Sequence, residues 1–165
     1  MSRTLGAIII LLAAFWAINN PSSAPVLNKY LPEPGILPSS KLYPAKILYE
    51  DIRAMLTFDN LSKVKLYLEL ADKRLAEIKK LEEKGDVNQI KETLLRYQKL
   101  TEKSQETINA AREKTKEFQD SANKIIDEAK SKDASALAEL YAKTSGEIKN
   151  AINDSLAKIM KWRTN

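Results

Sequence analysis

The ionisable side chains of this sequence are carboxylates, amines, guanidinium groups and phenols, because the chain has neither cysteine nor histidine. These two absences exclude disulfides, the usual zinc and copper ligands, a histidine general base and every Ser-His or Cys-His nucleophile. The sequence also lacks the D-x-D-x-D-G loop in which carboxylates hold calcium. We therefore expect that the protein is not an enzyme and has no catalytic residues, no cofactor and no metal site.

The charged residues have the pattern of solvated helix surfaces. Opposite charges recur four residues apart, a spacing that places them side by side on one helix face, as in Glu69 with Lys73 and Asp120 with Lys124. The 27 lysines and arginines exceed the 22 acidic residues by only five. Because this excess is spread along the chain, we expect no nucleic-acid binding, and no small-molecule substrate is expected either.

Residues 1–24 have the pattern of an export signal. Arg3 precedes an uncharged apolar run from Leu5 to Ile18. As a helix this run spans about 21 Å, which is short of the roughly 30 Å hydrocarbon core of a membrane. Two alternatives stay open, a signal that is cleaved near Pro25 and an uncleaved anchor that holds the chain on the membrane. Both predict that the rest of the protein lies outside the cytoplasm.

Residues 25–43 are predicted to form an extended proline-rich linker, because proline, serine and asparagine disfavour a helix there. The segment nevertheless carries bulky apolar side chains, which gain free energy when they leave water. We expect these side chains either to pack as a clasp on the first two helices, near Leu56 and Tyr67, or to bind a partner. The candidate residues are Ile36, Leu37, Pro38, Leu42, Tyr43 and Phe58.

Residues 44–165 are predicted to form a helical domain, because apolar residues recur there at steps of three and four. Asp59 or Asn60 is the expected N-cap of the second helix, and Gly85 is its expected left-handed C-cap. The spacing of Asp86 and Gln89 is that of a capping box. The four helices are placed at about residues 44–57, 60–84, 87–130 and 134–162.

The third predicted helix is the longest, because no glycine or proline interrupts its regular seam from Val87 to Lys130. The polar stretch from Ser131 to Asp133 is taken as the next turn, and Gly146 is expected only to weaken the middle of the fourth helix. Short turns make neighbouring helices antiparallel. The predicted fold is all-α: an elongated antiparallel bundle of coiled-coil hairpins around one long central helix.

Two stretches of the sequence resemble a family of exported microbial proteins known as domain of unknown function 5667. One is "GILPSSKLYPAK" at residues 35–46, and the other joins "LTFD" at residues 56–59 to the helix "LYLELADKRLAE" at residues 66–77. Lys41 stands where the family pattern favours proline. The resemblance implies an exported helical domain and implies no catalytic residue.

Two function classes are compatible with these features. The first is an exported helical interaction or scaffold module that binds an unknown protein partner at the cell envelope. The second is an extracytoplasmic chaperone-like or stress-responsive adaptor that presents apolar surface to its clients. An exposed patch of leucine, isoleucine and tyrosine side chains on the folded protein would favour the second class.

Overall fold

We describe a computed structural model of the protein, which covers residues 31–111 and 115–161. The predicted export signal and the first part of the predicted linker lie outside the described residues. Within them the chain forms helices and no strand, so the prediction of an all-α fold is confirmed. The helices are α1 (Tyr43–Met55), α2 (Asn60–Glu83), α3 (Val87–Ala110), α4 (Lys116–Lys143) and α5 (Gly146–Ile159).

The starts of α2 and α3 and the end of α2 follow from the residues that cap them. The Asp59 carboxylate accepts the backbone N–H of Ser62 at 2.7 Å, and the Asp86 carboxylate accepts that of Gln89 at 3.2 Å. Each bond satisfies one of the free N–H groups at a helix start. Gly85 follows α2 with φ +70°, the left-handed conformation that favours glycine. The caps at Asp59, Gly85 and Asp86 are confirmed, but the reciprocal bond of a capping box is absent, because the Asp86 N–H donates to the Leu81 carbonyl oxygen.

The prediction of one long helix over residues 87–130 is wrong, because α3 ends at Ala110 and α4 begins at Lys116. Thr115, which the heptad count placed in the seam, is instead the N-cap of α4 and accepts the N–H of Phe118 at 3.2 Å. Between Ile108 and Phe118 the seam has only the small residues Ala111 and Thr115, so a continuous helix would bury little apolar surface there. As a separate helix, α4 buries Ile126 and Leu137 in the main core.

The predicted turn at residues 131–133 is also wrong, because these residues lie inside α4. Their polar side chains make tertiary contacts: Lys132 pairs with Asp72, and Asp133 accepts a hydrogen bond from the Tyr97 hydroxyl. The chain instead turns between α4 and α5, where Gly146 has φ +58°. Gly146 therefore permits a helix break and does not lie in the middle of a helix.

Helices α2 to α5 form a four-helix bundle. The largest helix–helix interface joins α2 to α3, and smaller ones join α4 to α5, α2 to α4 and α3 to α5. Ion pairs show that α2 and α4 run in the same direction, and so do α3 and α5; these pairs are Asp72–Lys132, Lys79–Glu139, Lys91–Glu147 and Glu102–Lys158. The fully buried core includes Leu75, Ile78, Leu94, Tyr97, Ile126, Leu137 and Ile152.

Helix α1 lies on the outside of this bundle and contacts mainly α2. Only Tyr43, Glu50 and Ala54 of its residues are buried. Two of these three side chains are polar. The attachment of α1 to the bundle therefore depends on polar contacts to an unusual degree, and these contacts define the candidate site.

Candidate functional site

Five side chains between α1 and α2 form a buried ionic cluster, which we call the Tyr43 cluster. It consists of Tyr43, Lys46 and Glu50 from α1 and of Arg74 and Glu77 from α2. Arg74 is 1% exposed and Glu77 is fully buried. Charged side chains are almost never this buried unless they are paired, so the cluster has to satisfy its own charges.

The Glu77 carboxylate is the centre of the cluster. It accepts hydrogen bonds from the Tyr43 hydroxyl at 2.8 Å and from Lys46 Nζ at 2.6 Å. It also accepts hydrogen bonds from Arg74 Nη1, which lies 2.8 and 2.9 Å from the two oxygens of the carboxylate. Arg74 in turn donates to the Tyr43 hydroxyl and to the Glu50 carboxylate. One carboxylate therefore joins three neighbours from two helices.

The charges of the cluster balance, with two cations and two carboxylates. Burial acts to lower the pKa of Arg74, but the Glu77 and Glu50 carboxylates raise it above its ordinary value and keep the guanidinium charged. Burial raises the pKa of Glu50, and Arg74 opposes that rise. Burial also raises the pKa of Tyr43, so its hydroxyl stays protonated and donates to Glu77.

The Tyr43 cluster also holds the extended segment that precedes α1. Lys46 Nζ donates to the backbone carbonyl oxygens of Pro34 at 2.7 Å and of Ile36 at 2.9 Å. With the bond to Glu77, all three ammonium protons of Lys46 have an acceptor. The segment is thus fixed to the helices by a buried amine that binds its backbone.

The predicted apolar clasp is wrong for several of its members. Leu42 is 63% exposed, Phe58 is 85% exposed and Leu56 is also exposed, so they do not pack on one another in a buried contact. Ile36 is 38% exposed, and Leu37 and Pro38 are half-buried. Of the six candidates, only Tyr43 is buried, and its hydroxyl makes polar contacts. The alternative role of these residues in binding a partner stays a prediction.

Sequence reasoning missed Lys46, Glu50, Arg74 and Glu77. A signal was available, because Lys46 and Glu50 are one helical turn apart on the side of α1 that carries Tyr43. Arg74 and Glu77 likewise alternate with Leu75 and Ile78, which are core residues. Charged residues on the buried side of two neighbouring helices indicate a buried ionic contact. Heptad counting overlooked this signal because it records only apolar positions.

We predict that Lys46→Met releases the segment before α1. Methionine keeps most of the apolar stem and removes three hydrogen bonds, so the Ser40 amide, which donates to the Leu37 carbonyl at 2.9 Å, should exchange at least tenfold faster with solvent. Hydrogen–deuterium exchange measured on peptides from this region tests the prediction. Lys65→Met, at an exposed position of α2, is the matched control and should leave the exchange unchanged. Equal exchange in the two variants would show that other contacts hold the segment.

The side of α1 opposite the cluster is apolar and exposed. We call it the α1 face and define it by Leu48, Tyr49, Ile52, Met55 and Leu56, which are between 46% and 74% exposed. Their spacing places them on one side of the helix. The inward side of α1 is polar and its outward side is apolar, which is the reverse of the arrangement in an ordinary surface helix. The Tyr43 cluster is what makes this orientation stable.

The described residues contain no group of three or more acidic side chains placed to hold a metal ion. None of the helices in the described part of the chain is both long and apolar enough to cross a membrane.

A cleft of about 350 Å³ lies where the α2–α3 and α4–α5 turns meet, and it is lined by residues that include Glu82, Lys143 and Glu147.

Comparison with known families gives a match over residues 35–147 to a family described as a domain of unknown function, 5667. The match covers more than half of the chain. The chain belongs to this family. The matched region contains α1 to α4 and every residue of the Tyr43 cluster. Comparisons with curated proteins and with solved structures gave no match.

Proposed function

We propose that this member of the family is an exported helical interaction module at the cell envelope, and that the α1 face binds its protein partner. The observation that carries the proposal is the exposure of five bulky apolar side chains on one helix face. Together they present roughly 500 Å² of apolar surface, at the upper end of what a monomer leaves uncovered and often functional in that range. A binding role accounts for this surface.

The construction of α1 supports the same proposal. A helix that served only to cover the bundle would turn Leu48, Ile52 and Met55 inward, because burying each is worth about 1.5 to 3 kcal/mol. Instead the fold buries Tyr43 and Glu50 and leaves the apolar stripe outside. An amphipathic helix with an accessible apolar stripe suits recognition by a groove or by another helix.

The location at the envelope is supported by the N-terminal sequence. Arg3 and the apolar run from Leu5 to Ile18 have the features of an export signal or anchor. With an uncleaved anchor, residues 5–18 would also bring the module to the membrane. The proposal is non-catalytic, since the chain lacks histidine and cysteine and the atoms of the Tyr43 cluster are occupied by one another.

The second candidate function is that of an extracytoplasmic chaperone-like adaptor. Exposed leucine, isoleucine and tyrosine side chains favour it, and so does Met55, whose flexible thioether adapts to varied surfaces. The interaction module is preferred because the exposed residues lie on one helix at regular spacing. Such a stripe selects a partner of complementary shape, whereas a chaperone needs a broad and adaptable surface.

Photo-crosslinking from the α1 face tests the proposal. We replace Tyr49, which is exposed, with a photoreactive phenylalanine analogue and irradiate cells that produce the full chain. We expect one or a few discrete adducts in the secreted or membrane fraction. The same substitution at Asn109, an exposed position of α3, is the control and should give none.

The pattern of adducts separates the alternatives. A continuous smear of adducts with many proteins would favour the chaperone-like adaptor. Absence of any adduct at Tyr49, with the protein present in the envelope fraction, would contradict a binding role for the α1 face. Recovery of the intact chain in the cytoplasm alone would contradict export.

A further inference from the structure

We infer that the α1 face binds the α1 face of a second copy of this chain, with the two helices antiparallel. This inference rests on the proposed binding role of the α1 face and names its partner. Its basis is that the exposed side of α1 is complementary to itself in size and in charge.

The stripe along the middle of the exposed side has a heptad spacing. Steps of four and three connect six exposed residues that begin just before α1 and end just after it: Lys41, Ala45, Leu48, Ile52, Met55 and Asp59. This is the spacing at which two helices pack side chains into each other's gaps. A basic residue stands at one end, an acidic residue at the other, and apolar residues lie between them.

An antiparallel pairing matches this stripe to itself. When the two-fold axis passes near residue 50, the small side chain of Ala45 lies opposite Met55 of the second copy, and Leu48 lies opposite Ile52. The pair of Ala45 and Met55 sets a small residue against a large one, which lets the helices approach closely at the two ends of the contact. The same pairing brings the two Tyr49 rings together beside the axis, where aromatic pairs contribute most to an interface.

The charges at the ends of the stripe favour the antiparallel direction. Lys41 precedes α1 and Asp59 follows it, so each lysine comes to the end that carries the aspartate of the second copy. The opposed helix dipoles favour this direction as well. The Asp51 carboxylates of the two copies also come near each other and repel. They lie at the exposed rim of the stripe, where solvent and salt screen this repulsion.

The available area is that of a specific protein–protein contact. The five residues of the α1 face and the neighbouring exposed Leu42 and Phe58 together expose roughly 800 Å² of apolar surface, an upper limit for what this side can bury and close to what each partner buries in a standard interface. Tyrosine, phenylalanine and methionine are also the residue types enriched in such contacts.

The charges beside the stripe argue against an anionic lipid surface as the occupant. Arg53 and Lys73 both form ion pairs with Glu69 at 3.2 Å, and with the exposed Lys41, Asp51 and Asp59 these six side chains carry no net charge. Helices that lie on anionic bilayers instead have an excess of lysine and arginine beside the apolar face. A second copy of the chain does not require such an excess of basic residues.

Disulfide trapping in the full chain tests the inference, because the natural sequence has no cysteine to interfere. The double variant Ala45→Cys with Met55→Cys should form disulfide-linked dimers under a mild oxidant. In either single variant the two cysteines lie about 15 Å apart along the helix pair and should form at least tenfold fewer. Ala138→Cys, at an exposed position of α4, is the matched control and should form none above background.

Each outcome decides the inference. Abundant dimers from the double variant alone, with helicity unchanged by circular dichroism, support the antiparallel contact. Dimers from Ala45→Cys alone overturn it, because they require either parallel helices or a two-fold axis near residue 45. If the double variant forms no dimers while the photoreactive analogue at Tyr49 captures another protein, the second copy is not the partner and the proposed binding role stands. If neither method gives an adduct, both proposals fail.

Discussion

Glu77→Gln is expected to lower the free energy of unfolding by about 3 to 5 kcal/mol. The Glu77 carboxylate accepts hydrogen bonds from Tyr43, Lys46 and Arg74 and balances part of the charge of the two cations. Glutamine fills nearly the same volume but carries no charge, so it leaves Arg74 and Lys46 with Glu50 as the remaining carboxylate. Breaking a buried ion pair on one side is costly because the remaining charge has left water.

Chemical denaturation of the full chain at neutral pH measures this effect. Glu83→Gln on the same helix is the matched control, because Glu83 is exposed and forms its ion pair with the equally exposed Lys80, at 2.9 Å. An exposed pair of this kind contributes about 1 kcal/mol or less. A loss for Glu77→Gln as small as that of the control would mean that the Tyr43 cluster does not stabilise the fold.

The second large effect concerns Asp133, a buried carboxyl in the middle of the bundle. Its Oδ2 accepts the Tyr97 hydroxyl at 2.8 Å, and its carboxyl group also lies within hydrogen-bonding reach of the Asp72 carboxyl group. Burial, with a further contribution from the charge of Asp72, raises the pKa of Asp133 to about 7. The Lys132 ammonium opposes this rise but is paired with Asp72.

The contribution of Asp133 to the stability of the protein should therefore fall as the pH rises from about 4 to about 7. The raised pKa means that the folded state binds this proton more tightly than the unfolded chain does, so the contribution of Asp133 is complete below pH 4 and is lost as the pH passes through 7. A shift of about three pH units corresponds to about 4 kcal/mol. Above pH 7 this contribution stays constant.

Asp133→Asn should remove this dependence. Asparagine keeps an oxygen that can accept the Tyr97 hydroxyl and has no charge to bury, so at pH 8 the variant should be more stable than the natural protein by about 2 to 4 kcal/mol. At pH 4 the two should differ by less than about 1 kcal/mol. Denaturant unfolding at both pH values provides the comparison, with the exposed Asp127→Asn as control. Parallel pH profiles for Asp133→Asn and the natural protein would contradict the assignment.

The helical class and the caps were predictable because they depend on local signals. The Asp59 and Asp86 carboxylates and the conformation of Gly85 act within a few residues of their own positions. The division of the long predicted helix was not predictable from such signals. It depends on whether residues after Thr115 gain more by folding back on α2 than by continuing the helix, which is a tertiary comparison.

The candidate site was only partly predictable for a similar reason. The sequence drew attention to residues 35–46, and the structure places Tyr43 and Lys46 in a buried cluster there. The partners of these residues, Arg74 and Glu77, are more than 30 positions later in the chain, and no periodicity connects them. Heptad counting also assumes that apolar residues face inward, and in α1 the buried charges reverse that assumption.

The Tyr43 cluster also sets an order of events during synthesis. A chain made from its N-terminus presents α1 before α2, yet Lys46 and Tyr43 meet Glu77 only across separations of 31 and 34 residues. Until the ribosome has added α2, Lys46 and Glu50 have no buried partners and α1 cannot dock. The apolar stripe and the charged side of α1 are then both open to solvent and to any factor that meets the nascent chain. Helix α1 can therefore dock only after the segment through Glu77 has left the ribosome.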